Sequence, residues 1–266
     1  MKHTVLSVRK NLCREAAFTL IELLVVIAII AILASMLVPT LSTAKQKAKV
    51  QKARMEIGQI VTAIQGYESA YNRFPVSSNA MYAASTASED FTYGSDFLKT
   101  NGLNPQPNGI YGIYATNNSE VISILMDLEK YPLNGLPTVN FGHIKNPQRT
   151  PFLNATMVGD VISSGVGSDL VYRDPWGNPY IITLDLNYDE KARDIFYCSS
   201  KVSADPNSSA TPKSGLNGLI PKSTSVGIVY EANTPVMVWS LGPDKKLTTA
   251  DVGNKGANKD NVVSWK

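Results

Sequence analysis

The sequence predicts an α+β fold: one long N-terminal helix laid against an antiparallel sheet near the C-terminus, with an enlarged irregular segment between them. Three observations predict it. Residues 18–38 form an apolar run interrupted by a single acid, Glu22. Ile57, Ile60, Val61, Ile64, Tyr67 and Tyr71 then recur at spacings of three and four, the stripe of a helix with one buried face. Four short runs rich in β-branched and aromatic residues follow toward the C-terminus, each bounded by turn residues. Strands joined by short connections pair antiparallel, and a helix packed on such a sheet gives the α+β class.

The first element is a basic leader, 1–17, carrying Lys2, Arg9, Lys10 and Arg14. The apolar run behind it would make a helix of about 31 Å, close to the thickness of a bilayer's hydrocarbon core. A carboxylate at that depth costs about 3 kcal/mol or more, so Glu22 needs a partner, and a positive charge on another copy of the chain would serve. A secretory signal has a shorter apolar region of about 7–15 residues ending at a small-residue site. Ser42-Thr-Ala44 offers only a weak one, and the run here is longer, holds an acid and leads into a second helical pattern. A plain membrane anchor is the alternative. Lys45, Lys47, Lys49, Lys52 and Arg54 follow the run, so charge alone does not set its orientation. Pro39 removes a backbone donor and predicts a kink or melted turn before the amphipathic extension, 39–73.

From Phe74 to about Asn117, Ser, Asn, Gly and Pro dominate, which reads as a long, mostly irregular segment with one short helical piece. Asn118 or Ser119 then caps a helix predicted to run through Lys130, with Pro132 as its stop. His143 lies in a loop with no Cys, Asp or second His at ligand spacing. The predicted strands are Tyr180–Leu186, Ile195–Ser199, Ser225–Glu231 and Val236–Leu241, with a loop from Pro206 to Lys222. Of the two cysteines Cys13 lies in the leader, which leaves Cys198 single, as a buried free thiol.

Composition narrows the function classes. The net charge of +3 is too mild to argue for nucleic acid, and no basic patch is interleaved with aromatics. There is no His-Glu-x-x-His, Gly-x-Ser-x-Gly or phosphate loop, and Gly165-Val-Gly167 lacks the third glycine of a dinucleotide turn. With two histidines, one of them in the leader, catalysis is not expected.

Ala17-Phe18-Thr-Leu-Ile-Glu22-Leu resembles the cleavage and methylation motif of type IV prepilins and type II secretion pseudopilins. The resemblance implies a pilin fold, cleavage between Ala17 and Phe18 by a prepilin peptidase, and methylation of the new Phe18 amine. It further implies that Glu22 meets the Phe18 amine of a neighbouring subunit in a filament. The family usually has Gly before the cut, where this chain has Ala17. The implied organisation is a leader (1–17), a transmembrane assembly helix (18–38), its amphipathic extension (39–73), an enlarged loop-rich head region (74–173), and a sheet with a C-terminal loop (174–266).

Asp174-Pro-Trp-Gly-Asn-Pro-Tyr180 resembles the segment leading into the sheet of the major pseudopilin, and its residue types are those of a turn: Pro175 presets one angle and Gly177 permits a left-handed one. Val238-Trp-Ser240-Leu-Gly242-Pro-Asp244, with Asp260-Asn261 further on, is similar to the calcium loop of the same pseudopilins. That likeness implies calcium as the cofactor, held by Ser240, Asp244, Asp260, Asn261 and the carbonyls of Leu241 and Leu247, a set of hard oxygens that suits the ion. Lys245 and Asn261 depart from the family pattern, and Asp251 is a possible substitute ligand. The whole reading is a structural subunit, not an enzyme, anchored once in the inner membrane of a Gram-negative bacterium with its head outside the cytoplasm. Its implied partners are the peptidase, other copies, other pilin-like subunits and an inner-membrane assembly platform driven by an ATPase. The alternatives are a type IV pilus subunit and, in another class, a membrane-tethered binding module.

Overall fold

A computed structural model describes residues 18–87, 89–100, 115–225 and 227–265 of the chain. The chain divides into two compact units, Met1–Lys45 and Gln46–Lys266, and helix α1 (Leu20–Tyr71) contributes residues to both. The leader, with Ala17 and Cys13, lies outside the described residues.

In the first unit α1 is apolar and exposed: Leu20, Ile21, Leu23, Leu24, Val25, Val26 and Ile27 all present open surface. By length and composition this helix can cross a membrane. The backbone stays helical through Pro39, so the expected melted turn does not form. A proline removes one rung of the ladder, and nearby hydroxyls bond to helix carbonyls, Ser35 to Ile32 at 2.7 Å and Thr40 to Leu37 at 2.8 Å.

In the second unit the predicted stripe is the buried face of α1. Ala53, Ile57, Ile60, Ala63, Ile64 and Tyr67 are each at most 4 % exposed and join one hydrophobic core. After α1 come α2 (Ser78–Ala87), β1 (Phe91–Tyr93), α3 (Ser95–Thr100) and α4 (Ser119–Leu125). Then follow β2 (Gly165–Val166), β3 (Tyr172–Arg173), β4 (Ile181–Leu184), α5 (Ser200–Ser203), β5 (Ile220–Thr224), β6 (Gly227–Glu231), β7 (Val236–Ser240) and β8 (Val262–Val263).

The main sheet has the order β1-β4-β7-β8, antiparallel throughout. Strand β7 is buried along its whole length because both its faces are covered. Side chains alternate across a strand, so Val236 and Val238 enter the core built on α1, while Met237 and Trp239 enter a second core with Phe196, Tyr197 and Tyr230. This double burial accounts for the unbroken apolar run Val236–Trp239.

Several boundaries differ from expectation. The described part of 74–117 holds two helices, α2 and α3, and the sheet's edge strand β1, where one short helical piece was expected. Helix α4 ends at Leu125, well short of Lys130. Asp127 takes a left-handed φ of 56°, its amide donates to the Ile124 carbonyl and that of Leu128 to the Ser123 carbonyl, the hydrogen-bond pair that stops a helix at a left-handed residue. Segment 195–198 is a turn, because the Asp194 carboxylate takes the amides of Phe196 and Tyr197, and of the expected strand only Ser199 pairs, in a single bridge to Val229. The predicted strand Ser225–Glu231 begins at Gly227 and pairs with β5, which occupies the end of the expected loop.

Candidate assembly site

Glu22 stands at the third position of α1, and its carboxylate is bonded to Thr19. Oε2 accepts the Thr19 amide at 2.9 Å and the Thr19 hydroxyl at 2.6 Å, while the Glu22 amide donates back to Thr19 Oγ1 at 3.3 Å. This is a capping box, in which two amides without helical partners are satisfied reciprocally. Phe18, just before it, is exposed. No ion pair joins Glu22 to a cation among the described residues. The geometry therefore satisfies the helix end and leaves the charge unneutralised on an apolar, exposed surface. Thr19-x-x-Glu22 is a recognisable capping pattern, and reading Glu22 only as a buried charge missed it.

The turn Asp174–Tyr180 docks on α1 and on the sheet. Asp174 Oδ1 accepts the amides of Trp176 and Asn178, both at 2.9 Å, and Oδ2 accepts the Ser240 hydroxyl at 2.6 Å. Trp176 Nε1 reaches Gln46 at 3.1 Å, and the Tyr180 hydroxyl donates to Glu56 at 2.6 Å. Burial holds the Asp174 and Glu56 carboxyls above their ordinary range, despite these bonds. Asn118, expected as a helix cap, instead ties β3 to β4: its side chain bonds the Tyr172 amide and the carbonyls of Tyr172 and Tyr180.

The residues expected to hold calcium are only partly gathered. Asp260 Oδ2 accepts the Asp244 amide at 3.1 Å, and a Cβ at Gly242 would strike the Asp260 carbonyl, so the two loops are in contact. Burial and the nearby Asp244 charge both raise the Asp260 carboxyl, and no ion pair joins either acid among the described residues. Asn261 donates to the Tyr197 hydroxyl, while its Oδ1 is buried without a partner among the described residues. Ser240 is turned inward to Asp174, so its hydroxyl proton is already engaged. Leu241 is buried and Leu247 packs beside it in the second core. Asp251 serves its own loop, accepting the Ala257 amide. The two acids and the orphaned Asn261 oxygen suit a hard cation, while Ser240 Oγ is engaged with Asp174 and also accepts the Gly242 amide at 3.0 Å. Among the described residues no three carboxylate, imidazole or thiolate groups form a ready cage.

His143 has carboxylates on both sides, Asp127 at 2.8 Å from Nδ1 and Glu129 at 3.5 Å from Nε2. Both ring nitrogens face acids, so the residue clamps the end of α4 and has no nitrogen turned to a ligand. Asp127 and Glu129 are far from His143 along the chain, which hid this contact from the sequence. Burial pushes the Cys198 thiol up to about 12, and it donates to the Ile195 carbonyl.

A long apolar N-terminal helix with a capping carboxylate, followed by an α+β head, is a pilin-like architecture. Residues 12–38 match the family described as the prokaryotic N-terminal methylation motif. The chain is similar to the type II secretion system core protein G of Aeromonas hydrophila, 41 % identical over 70 residues, which is 26 % of this chain and 49 % of that protein. It is 40 % identical over 73 residues to the core protein G of Pectobacterium carotovorum subsp. carotovorum, covering 27 % and 47 % of the two chains. With that of Escherichia coli (strain K12) it shares 37 % identity over 68 residues, covering 26 % and 47 %. The chain thus spans about half the length of the curated relatives it matches. No solved structure matches it significantly.

Proposed function

We propose that this chain is a structural subunit of a pilin-like filament of a type II secretion system. A peptidase cuts between Ala17 and Phe18 and methylates the new amine. The subunit waits in the inner membrane, head outward, and joins other copies and other pilin-like subunits at an inner-membrane platform. It performs no chemistry; it is a moving part. The observation that carries the reading is Glu22, a carboxylate on an exposed apolar helix whose only partners among the described residues are the capping groups of Thr19. Cleavage would place a cationic amine beside every such acid, so that stacked helices neutralise one another. The relatives are named for secretion, which favours this over a pilus role. Mass spectrometry of the chain from its native membrane tests it. A methylated Phe18 terminus is the expected result, and an intact leader would overturn the reading.

In this reading Asp244 and Asp260 supply the charge of a calcium site that orders the C-terminal loop. A ligand at roughly a hundredfold over its Kd stabilises the folded state by about 2.7 kcal/mol. Calcium should therefore raise the thermal midpoint of the unit Gln46–Lys266, and the Asp244→Asn/Asp260→Asn double variant should lose part of that rise. An identical rise in the double variant would remove calcium from this loop.

A further inference from the structure

The main sheet ends in a second group of acids, which the C-terminal loop does not include. Register places Phe91 opposite Leu184, so Asp90 and Asp185 face each other one step beyond the last pair of β1 and β4. They are 3 % and 2 % exposed. Like charges directly opposite on a ladder repel, and burial removes the water that would screen them.

The two acids are compensated unequally. Asp185 accepts the amides of Asp189 at 3.2 Å and Glu190 at 2.8 Å. Asp90 Oδ2 accepts the Arg193 amide at 2.7 Å, but Asp90 Oδ1 is buried without a hydrogen-bond partner among the described residues. The nearest guanidinium, that of Arg193, is paired with Glu89 at 2.7 Å.

The loop leaving β4 reads Asp185-Leu-Asn187-Tyr-Asp189-Glu190, with oxygen-bearing side chains at the first, third and fifth positions. Asn187 Oδ1 accepts the Asp189 amide at 3.0 Å, and Asp189 Oδ1 accepts the Lys191 amide at 3.2 Å. Glu190, the sixth residue, has a φ of 63°, the left-handed conformation that calcium loops of this spacing place at their sixth position. Such loops complete the ion's shell with an acid at the twelfth position, which here is Phe196. Asp90, from the neighbouring strand, offers the missing carboxylate.

We propose that Asp90, Asp185, Asn187 and Asp189 form a second calcium site at the β4 end of the sheet, with carbonyls of the 185–191 loop completing the shell. Lys222 engages one of these acids, Asp189, from outside the loop. It bonds Asp189 Oδ2 at 3.2 Å and Glu231 at 2.8 Å, so Asp189 can turn to the ion while Glu231 keeps the lysine paired. Because β4 and β7 run antiparallel with Leu184 opposite Val236, the site lies at the other end of the sheet from Ser240 and the C-terminal loop.

Calorimetric titration of calcium into the full chain, purified in detergent and stripped of divalent ions, tests the site. The Asp244→Asn/Asp260→Asn background removes any contribution from the C-terminal loop. One calcium per chain is the expected stoichiometry, and Asp189→Asn, at an exposed position, should weaken binding roughly tenfold or more through the lost ligand charge. Asp90→Asn should weaken it as well while leaving the calcium-free protein no less stable, since it removes an unpaired buried charge. Absent binding in the background protein, or binding that survives both substitutions undiminished, overturns the proposal.

Discussion

Glu22→Gln is expected to stop filament assembly as fully as Glu22→Ala, even though glutamine can keep the helix cap. The capping box accepts Gln at the third position as well as Glu, so Thr19 and residue 22 can still satisfy each other's amides. Only the charge is lost. In the proposed filament that charge faces a neighbour's Phe18 ammonium, and removing one partner of a buried pair leaves the other uncompensated, at about 3–5 kcal/mol. At 1.4 kcal/mol per factor of ten, subunit association should weaken by roughly a hundredfold or more. Thr19→Ala is the control. It removes the cap, worth about 1 kcal/mol, and keeps the charge, so assembly should persist. The measurements are trimming of the leader, by mass spectrometry, and recovery of cross-linked filament from cells. Trimmed, membrane-inserted Glu22→Gln subunits that polymerise normally would reduce Glu22 to a helix cap and remove the basis of the filament reading.

Periodicity made α1 legible because burial follows it closely: the stripe from Ile57 to Tyr67 needs only a spacing of three and four to be seen. The strand β7 was legible for a similar reason, as an apolar run without charge. What the sequence hid were elements decided by side chains distant in the chain. Asp194 diverts residues 195–198 from strand to turn, and Asp127 ends α4 without the usual glycine, helped by Asn140 and His143 far downstream. Strand β1 has three residues, too few for an alternation to show, and it exists because β4 offers it an open edge. At the assembly site the charge of Glu22 is plain in the sequence, and its bond to Thr19 is carried by the Thr-x-x-Glu spacing of a capping box. In the C-terminal loop the Asp244 amide donates to Asp260, while the pull of Asp174 on Ser240 depends on how the turn docks against β7.

Asp174 and Asp194 repeat one device on opposite faces of β7. Each folds a turn by accepting two backbone amides, then fastens it to neighbouring residues of the strand, Asp174 to Ser240 and Asp194 to Trp239. Asp194 is the more deeply placed, fully buried, and also accepts the Thr183 hydroxyl from β4 at 2.8 Å. Asp194→Ala is therefore expected to destabilise the unit Gln46–Lys266 by about 4 kcal/mol, because four donors lose their acceptor where water cannot replace it. That is a large share of the roughly 5–15 kcal/mol that holds a domain folded. Asp194→Asn should lose about half as much, since Oδ1 can still take the two amides while the new amide group confronts the Thr183 hydroxyl and the indole. The two variants should also part in pH dependence. Burial raises the Asp194 carboxyl above its ordinary range, so the folded state holds the proton more tightly than the unfolded chain does. Wild-type stability then falls as pH rises from the ordinary carboxylate range toward the folded value, and Asn, which does not titrate, removes Asp194's share of that slope. Urea unfolding followed by Trp fluorescence at several pH values reads both effects. A midpoint for Asp194→Ala within about 1 kcal/mol of wild type would mean that the second core holds β7 without its buried acid, by the packing of Trp239 on Phe196 and Tyr197 alone.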